Sequence, residues 1–121
     1  ERVHFLHNVP FTDLPCIYQL AQVFVYPSRY EGFGIPILEA LNSRIPVVAT
    51  TGSCLEEAGG PHSLYVHPDD VMGLSNAIQK ALQPDIRDSM IQNGMVWATQ
   101  FTQEQMALQT MSCYKKTLYN K

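Results

Sequence analysis

A chain of 121 residues is the size of one domain with one hydrophobic core, so a second independent core is not expected. Hydrophobic residues make up 45% of the chain and charged residues 16%, which excludes a disordered protein. The net charge of −3 and the scattered Lys and Arg residues exclude the basic surface of a nucleic-acid-binding protein.

The three cysteines, Cys16, Cys54 and Cys113, are widely spaced and odd in number. This pattern favours neither a disulfide framework nor a zinc site, and it predicts a reducing, cytoplasmic setting. No apolar run reaches the length of a membrane span, and the N-terminus lacks the pattern of a signal peptide. Membrane association is therefore expected only of a longer parent protein, if it occurs.

The first third of the chain predicts two strands and a helix between them. Residues 3–6 are short and apolar and precede a loop, as in a strand. Apolar residues then recur at helical spacing after Thr12 or Asp13, either of which suits the cap of a helix. Residues 23–26 form a continuous apolar run, which is typical of a strand buried on both faces.

The pattern becomes helical again at Pro36 and stops before residues 46–49, which predict a second buried strand. A short helix over residues 55–58 ends at a glycine pair, and residues 64–66 predict a last short strand. The rest of the chain is predicted as three helices, near residues 70–82, 84–100 and 103–119.

Alternating strands and helices predict one α/β domain over residues 1–121. We expect a Rossmann-like parallel sheet of about four strands with helices on both faces. In such sheets the ligand binds beyond the carboxyl ends of the strands. The candidate site therefore lies in the loops that follow Tyr26, Ala49 and Val66.

The loop and helix of residues 26–40 carry the clearest functional pattern. Gly32 and Gly34 allow a ligand to approach the backbone, and the first turn of the following helix offers free N–H groups. Together with the helix dipole, these groups suit a diphosphate. Glu31 precedes the helix and Glu39 lies within it, so two carboxylates can accept hydrogen bonds from a sugar at one end and a ribose at the other.

This segment resembles the paired-glutamate motif of the group 1, family 4 retaining glycosyltransferases, which have the GT-B fold. The residues that carry the resemblance are Pro27, Ser28, Glu31, Gly32, Phe33, Gly34, Pro36, Glu39 and Ala40. Residues 45–50, 55–59 and 64–70 also resemble later parts of that family's C-terminal domain. The resemblance thus implies an incomplete C-terminal, donor-nucleotide-binding domain whose N-terminal acceptor-binding domain lies outside this chain.

The resemblance also implies a role for each motif residue. Glu31 is the implied catalytic residue, which contacts the donor sugar and stabilises positive charge near the anomeric carbon. Glu39 is implied to hold the ribose hydroxyls. The other implied donor-binding residues lie in two loops: Gly32, Phe33, Gly34, Thr50, Thr51 and Gly52.

The implied reaction transfers a hexose from a nucleotide diphosphate sugar, UDP- or GDP-linked, to a saccharide or lipid-linked acceptor with retention. No cofactor and no metal are expected. A sugar-nucleotide epimerase of GT-B-like architecture is one alternative, and a non-catalytic nucleotide-binding or interaction module is another. Because the family's acceptor-side loop and basic Arg–Lys pair are absent from this sequence, the fragment alone is expected to be inactive.

The strand order 3-2-1-4-5-6 of such domains predicts an exposed sheet edge in this chain. Two strands that would separate residues 3–6 from residues 23–26 are missing. Either residues 3–6 pair directly with residues 23–26, which we favour, or a second copy of the chain covers the edge and the protein self-associates.

Overall fold

A computed structural model describes residues 2–119 of the chain. Three β-strands and six α-helices lie in this part, with a short 3₁₀ turn at Phe11–Asp13 before the first helix. In chain order the elements are α1 (Leu14–Leu20), β1 (Phe24–Tyr26), α2 (Ile35–Asn42), β2 (Val47–Thr50), α3 (Leu55–Gly59), β3 (Leu64–Val66), α4 (Val71–Ala81), α5 (Pro84–Ala98) and α6 (Gln103–Tyr119).

The three strands form a parallel sheet in the order β1–β2–β3. Val25 lies opposite Val48, and Ala49 lies opposite Tyr65. Parallel neighbours need a crossover connection, which α2 and α3 supply. As predicted, the loops that follow the three strands therefore lie together at the carboxyl end of the sheet.

The hydrophobic core lies on both faces of β2. Val47 and Ala49 face α2, α3 and the end of α5, and Val48 faces α4 and the middle of α5 on the other side. All four β2 residues are buried, because the strand is paired at both edges and covered on both faces. Burial on both faces explains why the sequence of this strand is a nearly continuous apolar run.

Two of the predicted helix starts are confirmed in detail. The Asp70 side chain accepts a hydrogen bond of 2.7 Å from the Gly73 N–H, which caps α4. Pro84 occupies the first turn of α5, where its missing N–H leaves no helical hydrogen bond unmade. Asp13 stands at the N-cap of α1 but makes no capping hydrogen bond with its side chain, because the preceding 3₁₀ turn gives it a helical backbone.

The expected strand at residues 3–6 is wrong, and the described residues hold three strands rather than about four. Val3, Phe5 and Leu6 are 65%, 81% and 63% exposed. A strand in this position would gain backbone hydrogen bonds without burying an apolar face, and that burial is what stabilises strands. The favoured pairing of residues 3–6 with β1 is therefore also wrong, and coverage of the β1 edge by a second copy stays a prediction.

The last helix, α6, contrasts with the rest of the fold because none of its described residues is buried. Its exposed apolar side chains include Met106, Met111 and Leu118. No helix in residues 2–119 has both the length and the apolar character needed to cross a bilayer.

Candidate functional site

The loop after β1, residues 27–34, lies at the carboxyl end of the sheet and is tied to the loop after β2. The buried Thr50 hydroxyl donates a hydrogen bond to the Ser28 carbonyl oxygen. The Cys54 thiol lies 3.2 Å from the Glu31 carbonyl oxygen, to which it donates. These two contacts hold the segment that carries Glu31 against the neighbouring strand.

An ion pair links the same loop to the loop after β3. Arg29 Nη2 contacts Asp69 Oδ1, and both side chains are mostly exposed. The hydrogen bond to Asp69 raises the pKa of Arg29, and the same bond lowers the pKa of Asp69. Because solvent screens an exposed pair, its contribution to stability is small. The pair nevertheless completes a continuous chain of contacts across the three loops.

Glu31 is held by two hydroxyl groups that donate to the same carboxylate oxygen. Oε1 of Glu31 accepts hydrogen bonds of 2.7 Å from Ser28 Oγ and 2.8 Å from Tyr26 Oη. The Ser28 hydrogen bond, followed by that of Tyr26, lowers the pKa of Glu31. A carboxylate with a lowered pKa is ionised at neutral pH, so Glu31 presents a negative charge and not a transferable proton.

Glu39 lies in the second turn of α2, where a third hydroxyl group holds it. Its Oε2 accepts a hydrogen bond of 2.9 Å from Tyr18 Oη on α1. Burial raises the pKa of Tyr18, and the hydrogen bond to Glu39 raises it further, so Tyr18 remains a donor at neutral pH. Glu39 and Tyr18 border a cavity of about 280 Å³ between α1 and α2. Other residues lining this cavity include Phe11, Leu14, Pro15, Ile35, Leu38 and Asn42.

The two motif glycines have different environments. Gly34 has a φ of 108°, and a Cβ atom placed there would lie 2.9 Å from Leu55 Cδ2. Gly34 is therefore required by backbone conformation and by packing. A Cβ atom at Gly32 would have no neighbour within 4 Å. Gly32 thus leaves open space beside Glu31, where a ligand can approach the backbone.

The start of α2 offers fewer free N–H groups than the sequence pattern predicts. Pro36 has no N–H, and the Ile37 N–H donates to the Gly34 carbonyl oxygen at 2.9 Å. The N–H of Ile35, the first helical residue, is left outside the helical hydrogen-bond ladder. An anion at this helix would therefore rely on Ile35 and on amides of the loop before it.

The predicted nucleotide-bordering turn has a structural part and an open part. Thr50 is buried and uses its hydroxyl to hold Ser28, and the Thr51 N–H donates to the Val66 carbonyl oxygen at 2.9 Å. Gly52 has a φ of 85° and faces open space. The two threonines thus join neighbouring loops, and direct contact of all three residues with a ligand stays a prediction.

Phe33 connects the loop after β1 to the C-terminal helices. Its ring packs against Phe101 at 5.5 Å, and Phe101 packs against Trp97 at 6.0 Å between ring centres. These aromatic contacts anchor the loop to the junction of α5 and α6. Phe33 also lines a mainly apolar cavity of about 450 Å³, together with Ile35, Leu38, Glu57, Gln100, Phe101, Thr102, Gln103, Met106 and Gln109.

The sequence pattern missed the hydroxyl partners of both glutamates. Tyr18 has the helical spacing of a core residue, and Tyr26 ends an apolar run, so neither stands out as polar machinery. Ser28 belongs to the motif, but its contact with Glu31 depends on how the loop bends after β1.

Comparison with known proteins identifies the family. The family model described as "Glycosyl transferases group 1" matches residues 1–84. O-antigen chain mannosyltransferase B of Escherichia coli is 42% identical over 114 residues, which covers 93% of this chain and 30% of that protein. The MMP alpha-(1->4)-mannosyltransferase of Mycolicibacterium hassiacum is 31% identical over 121 residues, which covers 96% of this chain and 29% of that protein.

A solved structure agrees with these relatives. Sucrose-phosphate synthase from Thermosynechococcus elongatus matches with a TM-score of 0.84 and 32% sequence identity, over 99% of this chain and 31% of that one. The chain thus spans about 30% of the length of these proteins. The likeness confirms the predicted Rossmann-like α/β fold of GT-B type. On the family match over residues 1–84 and on these relatives, the chain belongs to the group 1 glycosyltransferases.

Proposed function

We propose that this chain forms the donor-nucleotide site of a retaining hexosyltransferase. The observation that carries the proposal is the Glu31 carboxylate, held by two hydroxyl donors beside the open backbone of Gly32, at the carboxyl end of a parallel sheet. A fixed negative charge in this place suits a donor whose anomeric carbon becomes positive as the bond to the leaving diphosphate breaks. Glu31 acts in the reaction through its charge.

The leaving diphosphate needs positive electrostatic potential at the other side of the breaking bond. The amides of Gly32, Phe33 and Gly34 are proposed to face the sugar and the phosphates, with the Ile35 N–H and the α2 dipole behind them. Since α2 supplies few free N–H groups, basic residues from the rest of the protein are expected to share this task. Such residues belong to the pair that the family resemblance implies upstream.

The nucleoside end of the donor is proposed to occupy the cavity between α1 and α2. Glu39 borders this cavity, and its carboxylate is placed to accept hydrogen bonds from the ribose hydroxyls. The apolar residues Leu14, Pro15 and Leu38 suit the face of a nucleobase, and Asn42 adds an amide at the rim. A mainly apolar pocket with a few placed polar groups is typical of small-ligand sites.

We propose mannose as the transferred hexose, because two of the relatives are named as mannosyltransferases. The nucleotide is UDP or GDP, and the acceptor is a saccharide or a lipid-linked saccharide that the rest of a longer protein would bind. We place the reaction in the cytoplasm, on the cysteine pattern. The relatives named above are transferases, which favours transfer over the epimerase and over a non-catalytic module.

The test is Glu31→Gln in a full-length protein that carries this chain, with release of nucleoside diphosphate from GDP-mannose and UDP-glucose as the assay. We expect kcat to fall about 10²- to 10³-fold, as for loss of one charge-stabilising group, with KM for the donor nearly unchanged. Glu104→Gln, at an exposed position on α6, is the matched control and should keep wild-type kinetics. A retained kcat with a large rise in KM would show that Glu31 only binds the donor.

A further inference from the structure

Each of the two motif glutamates is held by a tyrosine from a different element. Tyr26, the last residue of β1, donates to Glu31, and Tyr18 on α1 donates to Glu39. These contacts join residues five and twenty-one positions apart in the chain. The glutamates are among the residues that carry the family resemblance, whereas neither tyrosine is.

Each tyrosine donates to only one oxygen of the glutamate carboxylate that it contacts. The hydroxyls of Tyr26 and Ser28 both donate to Oε1 of Glu31, and Tyr18 donates to Oε2 of Glu39. Among residues 2–119, Glu31 Oε2 and Glu39 Oε1 accept no side-chain hydrogen bond. A carboxylate has about four acceptor positions, so each glutamate keeps one oxygen free for a ligand hydroxyl.

Phe24 connects the two tyrosines, and these three rings form what we call the ring column. Phe24 and Tyr26 are two positions apart on β1, so they share one face of the strand, and their rings stack at 5.7 Å and 20°. Tyr18 also packs against Phe24, at 5.4 Å between ring centres and with the ring planes tilted by 55°. The column packs against the core that α2 shares with β2, which limits the rotation of both tyrosine rings.

We propose that Tyr18 and Tyr26 are positioning residues, which fix Glu39 and Glu31 through one oxygen each and leave the other oxygen free for the ribose and the donor sugar. The proposal rests on the proposed function, since it assigns the free oxygens to parts of the donor. The ring column then keeps the two carboxylates in one mutual arrangement before the donor binds. Such pre-organisation lowers the ordering cost of binding and of reaction.

The first readout is the pKa of the Glu31 carboxylate, which carbon-detected NMR titration of the full-length protein measures. The hydroxyls of Ser28 and Tyr26 lower this pKa. Tyr26→Phe removes one donor and keeps the ring, so the pKa of Glu31 should rise. Ser28→Ala should raise it as well, and it provides the test if Tyr26→Phe does not fold. Tyr114→Phe, at an exposed position on α6, is the matched control and should leave it unchanged.

The second readout separates kcat from KM in the same variants. Loss of one hydrogen bond to a charged group costs about tenfold, so Tyr26→Phe should lower kcat about tenfold with little change in KM. Tyr18→Phe should raise KM for the donor, and weaken binding of UDP or GDP, by about tenfold with kcat nearly unchanged. A purely structural role would lower thermal stability without this division between the two tyrosines.

An unchanged Glu31 pKa and kcat in Tyr26→Phe and in Ser28→Ala would overturn the assignment of Tyr26. Unchanged donor KM and nucleotide affinity in Tyr18→Phe would overturn that of Tyr18. Failure of the proposed function looks different, because the wild-type protein would then release no nucleoside diphosphate and bind neither UDP nor GDP. The Glu31 pKa would in that case still report whether Tyr26 holds the carboxylate.

Discussion

At the scale of single residues, the motif combines positions required by the fold with positions that remain open. Gly34 starts α2 in a backbone conformation that L-residues rarely adopt, and it packs against Leu55 and Ala58 of α3. Gly32, two positions earlier, faces open space. The same residue type is therefore needed for stability at one position and for ligand approach at the other.

This difference predicts opposite effects of alanine at the two glycines. Gly34→Ala should destabilise the fold by about 1–3 kcal/mol, because it adds backbone strain and a contact of 2.9 Å with Leu55. Gly32→Ala should change the free energy of unfolding by less than about 0.5 kcal/mol and should weaken nucleotide binding. Urea denaturation and titration calorimetry with UDP and GDP measure the two effects. Equal destabilisation by both substitutions would show that Gly32 is also constrained by the fold.

At the scale of secondary-structure elements, α2 connects the site to the core. The helix begins at the loop that carries Glu31, presents Glu39 in its second turn, and buries Leu41 against α5. Gly94 on α5 permits this approach, since a Cβ atom there would lie 2.7 Å from Leu41 Cδ2. The position of Glu39 thus depends on packing two residues away in the same helix.

We expect Leu41→Ala to lower the free energy of unfolding by about 2–5 kcal/mol, because it leaves a cavity between α2 and α5. Leu108→Ala, which removes a 58% exposed side chain from α6, should change stability by less than about 0.5 kcal/mol. Thermal or urea denaturation of both variants makes the comparison. A small effect of Leu41→Ala would mean that α5 moves toward α2 and fills the cavity, with little loss of stability.

At the scale of the whole molecule, the chain consists of a packed sheet-and-helix unit and a helix with little packing. Residues of α2 and α5 belong to the buried core, whereas no described residue of α6 is buried. Packing of an apolar face supplies most of the stability of helices in proteins, and α6 lacks such packing within the described residues. The apolar residues of α6 are exposed, and β1, which is half-buried, pairs with a neighbouring strand on one side only among the described residues.

This contrast predicts a gradient of hydrogen exchange in the 121-residue chain. Backbone amides of α6 should exchange by local opening, orders of magnitude faster than those of α2 and β2, which require global unfolding. Hydrogen–deuterium exchange with mass spectrometry gives the rates by segment. Concentration-dependent protection of α6 or of β1 would instead indicate that a second copy covers these surfaces, as the prediction of self-association requires.

The sequence by itself was sufficient for the strands near β1, β2 and β3, for the starts of α4 and α5, and for the family. Buried strands are recognisable as apolar runs, and Asp70 and Pro84 mark helix starts through their own local chemistry. The paired glutamates and the glycines between them lie in one continuous segment. All of these signals depend on residues that are close together in the chain.

Only the tertiary structure decided how the site is held and which apparent strand is real. Residues 3–6 have the composition of a strand, but they find no face to bury and remain exposed. The contact of Tyr18 with Glu39 spans twenty-one positions, and that of Thr50 with Ser28 spans twenty-two. Such contacts arise from the way α1, β1 and α2 pack together. Local propensity and residue spacing do not predict these contacts, because packing depends on all of the elements together.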